Sequence, residues 1–236
     1  MNKRAEFLKG FKDGLPIGLG YLSISFGFGI TAVNLGIKAI YTILISMTNL
    51  TSAGQVAGIS IIAAAGTLLE IALTQLVINL RYSLMGIALS QKLDKSFGTI
   101  HRILSSFFIT DEIFSVAMLK KGPVTPSYMY GLSVLPYIGW ALGTTLGALA
   151  GNILPASVSS ALGIAIYGMF IAIVVPSAKK DRGVLLAVVI SIAVNCVIKY
   201  VPVFSFITPG FAVIICAVSA AAVAAVVKPV EEVYDE

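Results

Sequence analysis

Apolar runs recur along the chain at 15–36, 38–64, 66–90, 100–120, 128–151, 158–177, 183–200 and 203–227. Each approaches or exceeds the roughly 18 residues that carry a helix across a hydrocarbon core about 30 Å thick. Polar and proline-containing breaks separate them: Lys92, Asp94 and Lys95, then Lys120 to Pro126, a proline turn from Asn152 to Ser157, Lys179 to Arg182, Pro202, and the Lys228-Pro229 pair. The pattern predicts an all-α fold, a polytopic transmembrane helical bundle of seven or eight spanning segments, the count turning on whether 100–120, polar for a span, crosses. A transmembrane barrel would instead show short alternating segments. Residues 1–228 read as a single integral-membrane domain, and the acidic tail 229–236 as disordered.

Polar residues interrupt this pattern in two places. In 38–64 an apolar start gives way to Thr48-Asn49-Leu50-Thr51-Ser52-Ala53-Gly54-Gln55, where Ser, Thr and Asn compete for backbone hydrogen bonds and Gly loosens the helix. A broken helix around 48–55 is predicted, the alternative being an ordinary loop between two short segments. Irregular backbone at bilayer depth survives only inside protein or along a wet cavity, and transporters use such half-helix ends for binding. On a helix through 66–90, Glu70, Thr74 and Arg81 share one face, while Gln75, Asn79 and Tyr82 form a second stripe nearly opposite. Glu70 and Arg81 are about 16 Å apart along the axis and cannot pair. Arg81 is left to a carboxylate of the protein or of a solute, or to snorkelling at the membrane surface. The second place is Thr110-Asp111-Glu112, two acids amid Phe107, Phe108, Ile109, Ile113 and Phe114. An intramembrane carboxylate is a candidate for cation, ammonium or proton binding. An ion pair holding the bundle together, with Arg81 as one partner, and a surface helix are the alternatives.

Composition supports the same class. Of 236 residues 58% are hydrophobic and only 11% charged, with mean hydropathy +0.97, against about 25% charged in soluble domains. The net charge of +5 sits mostly at segment ends. It forms no clustered basic face, so no nucleic-acid partner is expected. If all eight segments cross, Lys3, Arg4, Lys9, Lys12, Lys120, Lys121, the three basic residues of 179–182 and Lys228 share one side. Lys38, Lys92, Lys95, Arg102 and Lys199 fall on the other. The excess places the N-terminus in the cytoplasm. The basic N-terminus precedes an apolar run longer than a signal peptide, read as a retained first span.

Cys196 and Cys216 lie in apolar runs and His101 is the single histidine. No metal site and no cofactor are expected. No serine or cysteine has a positioned base, and Asp13, Asp94, Asp181 and Asp235 lie in ends or loops, so an enzyme is not expected. Gly14, Gly18, Gly20, Gly27 and Gly29, and the fourfold series Gly143, Gly147, Gly151, read as helix-packing positions rather than a phosphate loop. A faint internal echo pairs Gly36–Tyr41 with Gly163–Tyr167, and Pro16, Gly20-Tyr21 with Pro136, Gly139-Trp140.

These residues also carry a family resemblance. Gly14-Leu-Pro16-Ile-Gly18 with Gly20-Tyr21, Phe26-Gly27, Ser46, Ser52-Ala-Gly54-Gln55, Asn79-Leu-Arg81-Tyr82-Ser-Leu-Met85, Thr110-Asp111-Glu112 with Phe114, and Tyr137, Trp140, Gly143-Thr144 and Gly147 resemble the AzlC family of branched-chain amino acid exporters, linked to azaleucine resistance. Two departures are visible: Thr51-Ser52-Ala53-Gly54-Gln55 stands where the family often has Phe-Ala-Gly-Ala-Gln, and Tyr82 where His is common. The resemblance implies export of branched-chain or similar amino acids across the cytoplasmic membrane and a small hydrophobic partner subunit of the AzlD type. It also implies an ion gradient as the energy source.

The candidate substrate site is Ser52, Gly54, Gln55, Asn79, Arg81 and Asp111, with Tyr21, Trp140 and Thr144 lining the route. Asp111, Glu112 and Glu70 are the candidates for ion or proton coupling. A passive channel for small polar solutes and a non-transporting membrane scaffold subunit are the competing classes.

Overall fold

The computed structural model describes residues 3–150, 171 and 174–228. Their helices are α1 (Lys3–Asn34), α2 (Ala39–Thr48), α3 (Ser52–Ala63), α4 (Leu68–Ser90), α5 (Thr99–Ser106), α6 (Asp111–Leu119), α7 (Pro126–Ala150), α8 (Arg182–Tyr200) and α9 (Pro209–Val227), with a short 3-10 turn at Pro202–Phe204. Among the described residues the only β-type pairing is an isolated bridge between Leu93 and Val124. Five of these helices, α1, α4, α7, α8 and α9, are long and apolar enough to cross a membrane, in agreement with the predicted helical bundle. The predicted segment 158–177, the turn at Asn152 to Ser157, Gly151, the Gly163–Tyr167 echo and the acidic tail lie outside the described residues or nearly so.

The described residues group into two compact units. One comprises those up to Ile59 and from Asn79 to Ala150; the other comprises Ser60 to Ile78 and those beyond Ala150. The first is organised on α1 and α7. An added Cβ on Gly10, Gly14 or Gly18 would run into the backbone of Tyr128, Leu132 or Leu135. On Gly139, Gly143 or Gly147 it would meet the backbone of Gly18, Leu22 or Phe26. Partners rise together in number, so the two helices run parallel with their backbones in direct contact, as small residues permit in membranes.

The other helices of this unit are placed against that pair. Ser46 Oγ lies 2.7 Å from Thr144 Oγ1, and the Tyr137 hydroxyl donates to the Met47 carbonyl at 3.1 Å. So α2 comes back from the far ends of α1 and α7 and stops halfway, where Leu50 packs on Tyr21 and Trp140. Tyr21 is about 27 Å from the start of α1 at 1.5 Å per residue. A new helix begins immediately, with Thr51 Oγ1 accepting the Gly54 N–H at 3.3 Å as a cap. The break is the one predicted around 48–55. The Asn79–Ser90 part of α4 runs antiparallel to α7: Tyr82 lies at the level of Tyr21 and Trp140, and Leu89 packs on Tyr128, Met129 and Leu132.

The segment 100–120, whose crossing the sequence leaves open, is not a single helix. Its pieces α5 and α6 have 8 and 9 residues, about 12–14 Å each. His101 Nδ1 is 2.8 Å from the Tyr130 hydroxyl at the start of α7, and Phe107 and Phe108 reach Tyr137, with ring centroids 6.0 and 5.7 Å apart. The chain then turns at Phe107 to Thr110. Ile113 and Ala117 pack back on Tyr128 and Met129, and Lys120 Nζ meets Glu6 at 3.2 Å. Thr110 caps the returning helix by accepting the Ile113 N–H at 3.3 Å, and the acids of its first turn favour the helix N-terminus. One consequence corrects the charge map. Lys92, Lys95 and Arg102, assigned above to the side opposite the N-terminus, lie at the end where α1 starts. They join Lys3, Arg4, Lys9, Lys12, Lys120 and Lys121 there, with Lys38 at the other end.

Within the second unit α8 and α9 pack together. Asp181 caps α8 through the Gly183 N–H at 2.6 Å and pairs with Lys228 at 2.9 Å. The Lys228 hydrogen bond, followed by the Gly183 amide, holds the Asp181 carboxyl below the usual range. Glu70 is buried here, Oε1 accepting from the Gly210 N–H at 2.8 Å and from the Thr208 hydroxyl. It thereby occupies the N-terminal end of α9.

Candidate functional site

Halfway along α1 and α7, interrupted helices converge. The last residues of α2 and α5 arrive from opposite ends, and α3 and α6 begin there, each capped by a threonine. Each cap is met by a tyrosine from a long helix. The Tyr21 hydroxyl lies 2.7 Å from Thr110 Oγ1, and the Tyr82 hydroxyl interacts with Thr51. Thr51 Oγ1 in turn donates to Asn79 Oδ1 at 3.0 Å. Two half-helix N-termini thus present partial positive charge to one centre.

The charged groups of that centre come from α4 and α6. Arg81 Nη1 donates to Asp111 Oδ2 at 2.6 Å, with side chains 40% and 38% exposed, so the pair is accessible from outside the packed core. Arg81 also donates to the Tyr82 hydroxyl at 3.3 Å and lies over that ring, 4.9 Å from its centroid. Glu112 Oε2 stands 2.5 Å from the Tyr21 hydroxyl. Tyr21 meets Trp140 edge to face at 5.1 Å. Gln55, 1% exposed, spans the break: its amide donates to the Asn49 carbonyl, and its Oε1 accepts the Trp140 indole N–H at 3.3 Å. Tyr21, Leu50, Ser52, Tyr82, Thr110, Asp111, Glu112 and Trp140 enclose a free volume of about 10 Å³. That is room for about one water, far short of the roughly 300–1,000 Å³ of ligand pockets. The space between these side chains is nearly filled, while Arg81 and Asp111 stay partly exposed.

The structure brings together Tyr21, Ser52, Gln55, Asn79, Arg81, Asp111, Glu112 and Trp140 from the sequence-based set. The Gly54 N–H is taken up by the Thr51 cap. Thr144 lies a turn beyond Trp140, bonded to Ser46. Glu70 belongs to the other unit and serves the start of α9. Sequence reasoning left Leu50, Thr51, Tyr82 and Thr110 out of the site. Threonine immediately before a new helical stretch is the signal that marks the two caps. A second hollow, of about 380 Å³, opens at the end where α1 and α7 start, lined among others by Lys3, Glu6, Asp94, His101 and Tyr130. There the Ser96 hydroxyl and then its amide hold the Asp94 carboxyl below the usual range.

Long apolar helices, with a polar centre made of interrupted ones in the first unit, define a helical membrane protein. Residues 16–154 match the family described as AzlC protein, and the chain belongs to that family. It is 28% identical to the inner membrane protein YgaZ of Escherichia coli, over 75% of this chain and 76% of that one. An uncharacterized membrane protein of Archaeoglobus fulgidus is 32% identical, over 76% and 79%. The branched-chain amino acid transport protein AzlC of Bacillus subtilis is 25% identical, over 77% and 73%. No solved structure matches.

Proposed function

We propose that the protein is a secondary transporter that exports branched-chain or similar apolar amino acids across the cytoplasmic membrane, driven by an ion gradient. The observation that carries this reading is the Arg81–Asp111 pair, 2.6 Å apart and partly accessible where the half-helices meet. A zwitterion is the solute that can open such a pair without stranding either charge. Its carboxylate takes Arg81 and the broken-helix backbone near Ser52 to Gln55, and its ammonium takes Asp111. Tyr21 and Trp140 supply apolar walls, Asn79 orients the Thr51 cap, and Thr144 fixes α2 to α7 beside the route. The name of the Bacillus subtilis relative supports branched-chain amino acids as the class. The family resemblance adds a small AzlD-like membrane subunit as partner.

The basic residues gathered at the end where α1 starts, against Lys38 at the other, favour a cytoplasmic N-terminus. The test is leucine release from cells loaded with a leucine dipeptide. Arg81→Gln and Asp111→Asn should each lower export at least about tenfold, the effect of one strong ionic contact, while membrane content of the protein is unchanged. Export at the normal rate by both variants would defeat the assignment.

A further inference from the structure

Away from the Arg81–Asp111 centre, a groove runs between the end of α4, the loop that follows it and α5. Arg102 stands on α5 at the end where α1 starts. Its Nε donates to the Phe97 carbonyl at 3.2 Å, and among the described residues no carboxylate pairs with it, whereas Arg81, Lys120 and Lys228 each have one. One turn along the same face, Ser105 is 4% exposed and its Oγ has no hydrogen-bond partner among the described residues. Both line the groove, whose volume is about 190 Å³ and whose other walls are Gly86, Leu89, Leu93, Phe97, Ile109 and Met129. Ser90 and Ser106 line it too, but their hydroxyls donate within their own helices, to the Ile87 and Ile103 carbonyls at 2.6 and 2.7 Å. No carboxylate is among the lining residues.

These groups are layered by depth. From the end where α1 starts, α5 runs inward: His101 meets Tyr130 near the beginning of α7, and Phe107 and Phe108 meet Tyr137 two turns deeper. Arg102 therefore stands at the height of Tyr130. Lys9 is level with it, since Gly131 abuts the Phe7 and Phe11 backbone. Ser105 is about 4.5 Å farther in at 1.5 Å per residue, and Gly86 and Ile109 lie deeper still. A cation, then a hydroxyl donor, then apolar walls match in order the phosphate, the ester carbonyls and an acyl chain of a phospholipid. A guanidinium fork suits phosphate oxygens, and basic pockets between helices at the membrane surface hold anionic headgroups. With no carboxylate in the lining, the ammonium of a zwitterionic headgroup finds no partner.

We propose that this groove binds one anionic phospholipid, with its phosphate on Arg102, an ester carbonyl accepting from Ser105 and an acyl chain lying toward Gly86 and Ile109. The carbonyl gives the buried Ser105 hydroxyl the acceptor it lacks. The lipid spans from α4 to α5, so it stabilises the folded chain in proportion to its occupancy.

Native mass spectrometry of the full chain provides the test. The protein is released from micelles holding equal amounts of phosphatidylglycerol and phosphatidylcholine with the same acyl chains, and melting in lipid-free detergent checks folding. One phosphatidylglycerol retained in preference to phosphatidylcholine is expected. Arg102→Gln should lower that retention about tenfold and Ser105→Ala about threefold, as for a charged and a neutral hydrogen bond. Ser105→Ala removes an unpaired buried hydroxyl, so its lipid-free melting should be unchanged or higher. Gly86→Leu fills the groove from a position where an added Cβ meets nothing within 4 Å. It should abolish retention without earlier melting. Lys95→Gln, at the same end but outside the groove, should retain the lipid fully. Equal retention of the two lipids overturns the proposal, as does full retention in both Arg102→Gln and Gly86→Leu. A loss in Lys95→Gln as large as in Arg102→Gln also overturns it, in favour of surface charge alone. Glycerol phosphate, the headgroup without chains, should not displace the lipid at equal concentration; displacement would overturn the lipid assignment in favour of a free phosphate.

Discussion

Gln55 is a buried polar side chain with both ends engaged, one on the Asn49 carbonyl and the other on the Trp140 indole. Gln55→Leu strands both partners in a dry setting. It should lower stability by about 1–3 kcal/mol, seen as an earlier melting transition in detergent; an unshifted transition would mean the bridge contributes nothing. Sequence made part of this centre legible and hid the rest for physical reasons. That Arg81 requires a carboxylate other than Glu70 follows from their separation along one helix. An ion pair between Arg81 and the Asp111-Glu112 acids was one of the alternatives the sequence offered, and it is realised with Asp111 because α5 turns back, 30 residues away. Glu70 shares the Arg81 face by helical phase, which suggested coupling, but phase says nothing of the α9 end that takes up its Oε1.

At the scale of elements, the glycines of α1 and α7 were readable as packing positions, since fourfold spacing gives a smooth stripe. Which of them are in contact was not readable. A Cβ at Gly147 meets the Phe26 carbonyl, while one at Gly20 meets nothing within 4 Å. Gly147→Ala should therefore cost about 1–3 kcal/mol through overpacking, and Gly20→Ala should be neutral or stabilising by up to about 1 kcal/mol. The difference between their melting temperatures is the measurement, and equal melting would contradict the direct backbone contact. Whether 100–120 crosses stayed open in the sequence because apolar content reports depth and not direction. Phe107 to Ile109 and Ile113-Phe114 flank Thr110-Asp111-Glu112 symmetrically, so two short helices and one long one have the same hydropathy. The threonine followed by two acids was the cap signal, seen as an anomaly inside a span.

For the whole molecule, the turning back of α6 decides which loops share a face of the membrane. With Cys196 and Cys216 replaced by serine, Lys95→Cys and Lys121→Cys should be labelled by an impermeant maleimide from the same side as the N-terminus. Lys38→Cys should be labelled from the other. Labelling of positions 95 and 121 from opposite sides would mean that the 100–120 segment crosses. The membrane class, the broken helix and most of the central residues were legible because burying polarity in lipid is costly everywhere along the chain. The nearly filled centre and the sorting of charge required the path of the chain. The seam between α1 and α7 has a mechanical corollary. Where peptide groups abut, neither sliding nor twisting has any slack, so that pair is a keel. The short α5 and α6 meet that pair by side chains instead, through the Tyr21–Thr110 hydroxyls and the rings of Phe107, Phe108 and Tyr137 near the middle and through Ile113 and Ala117 farther along.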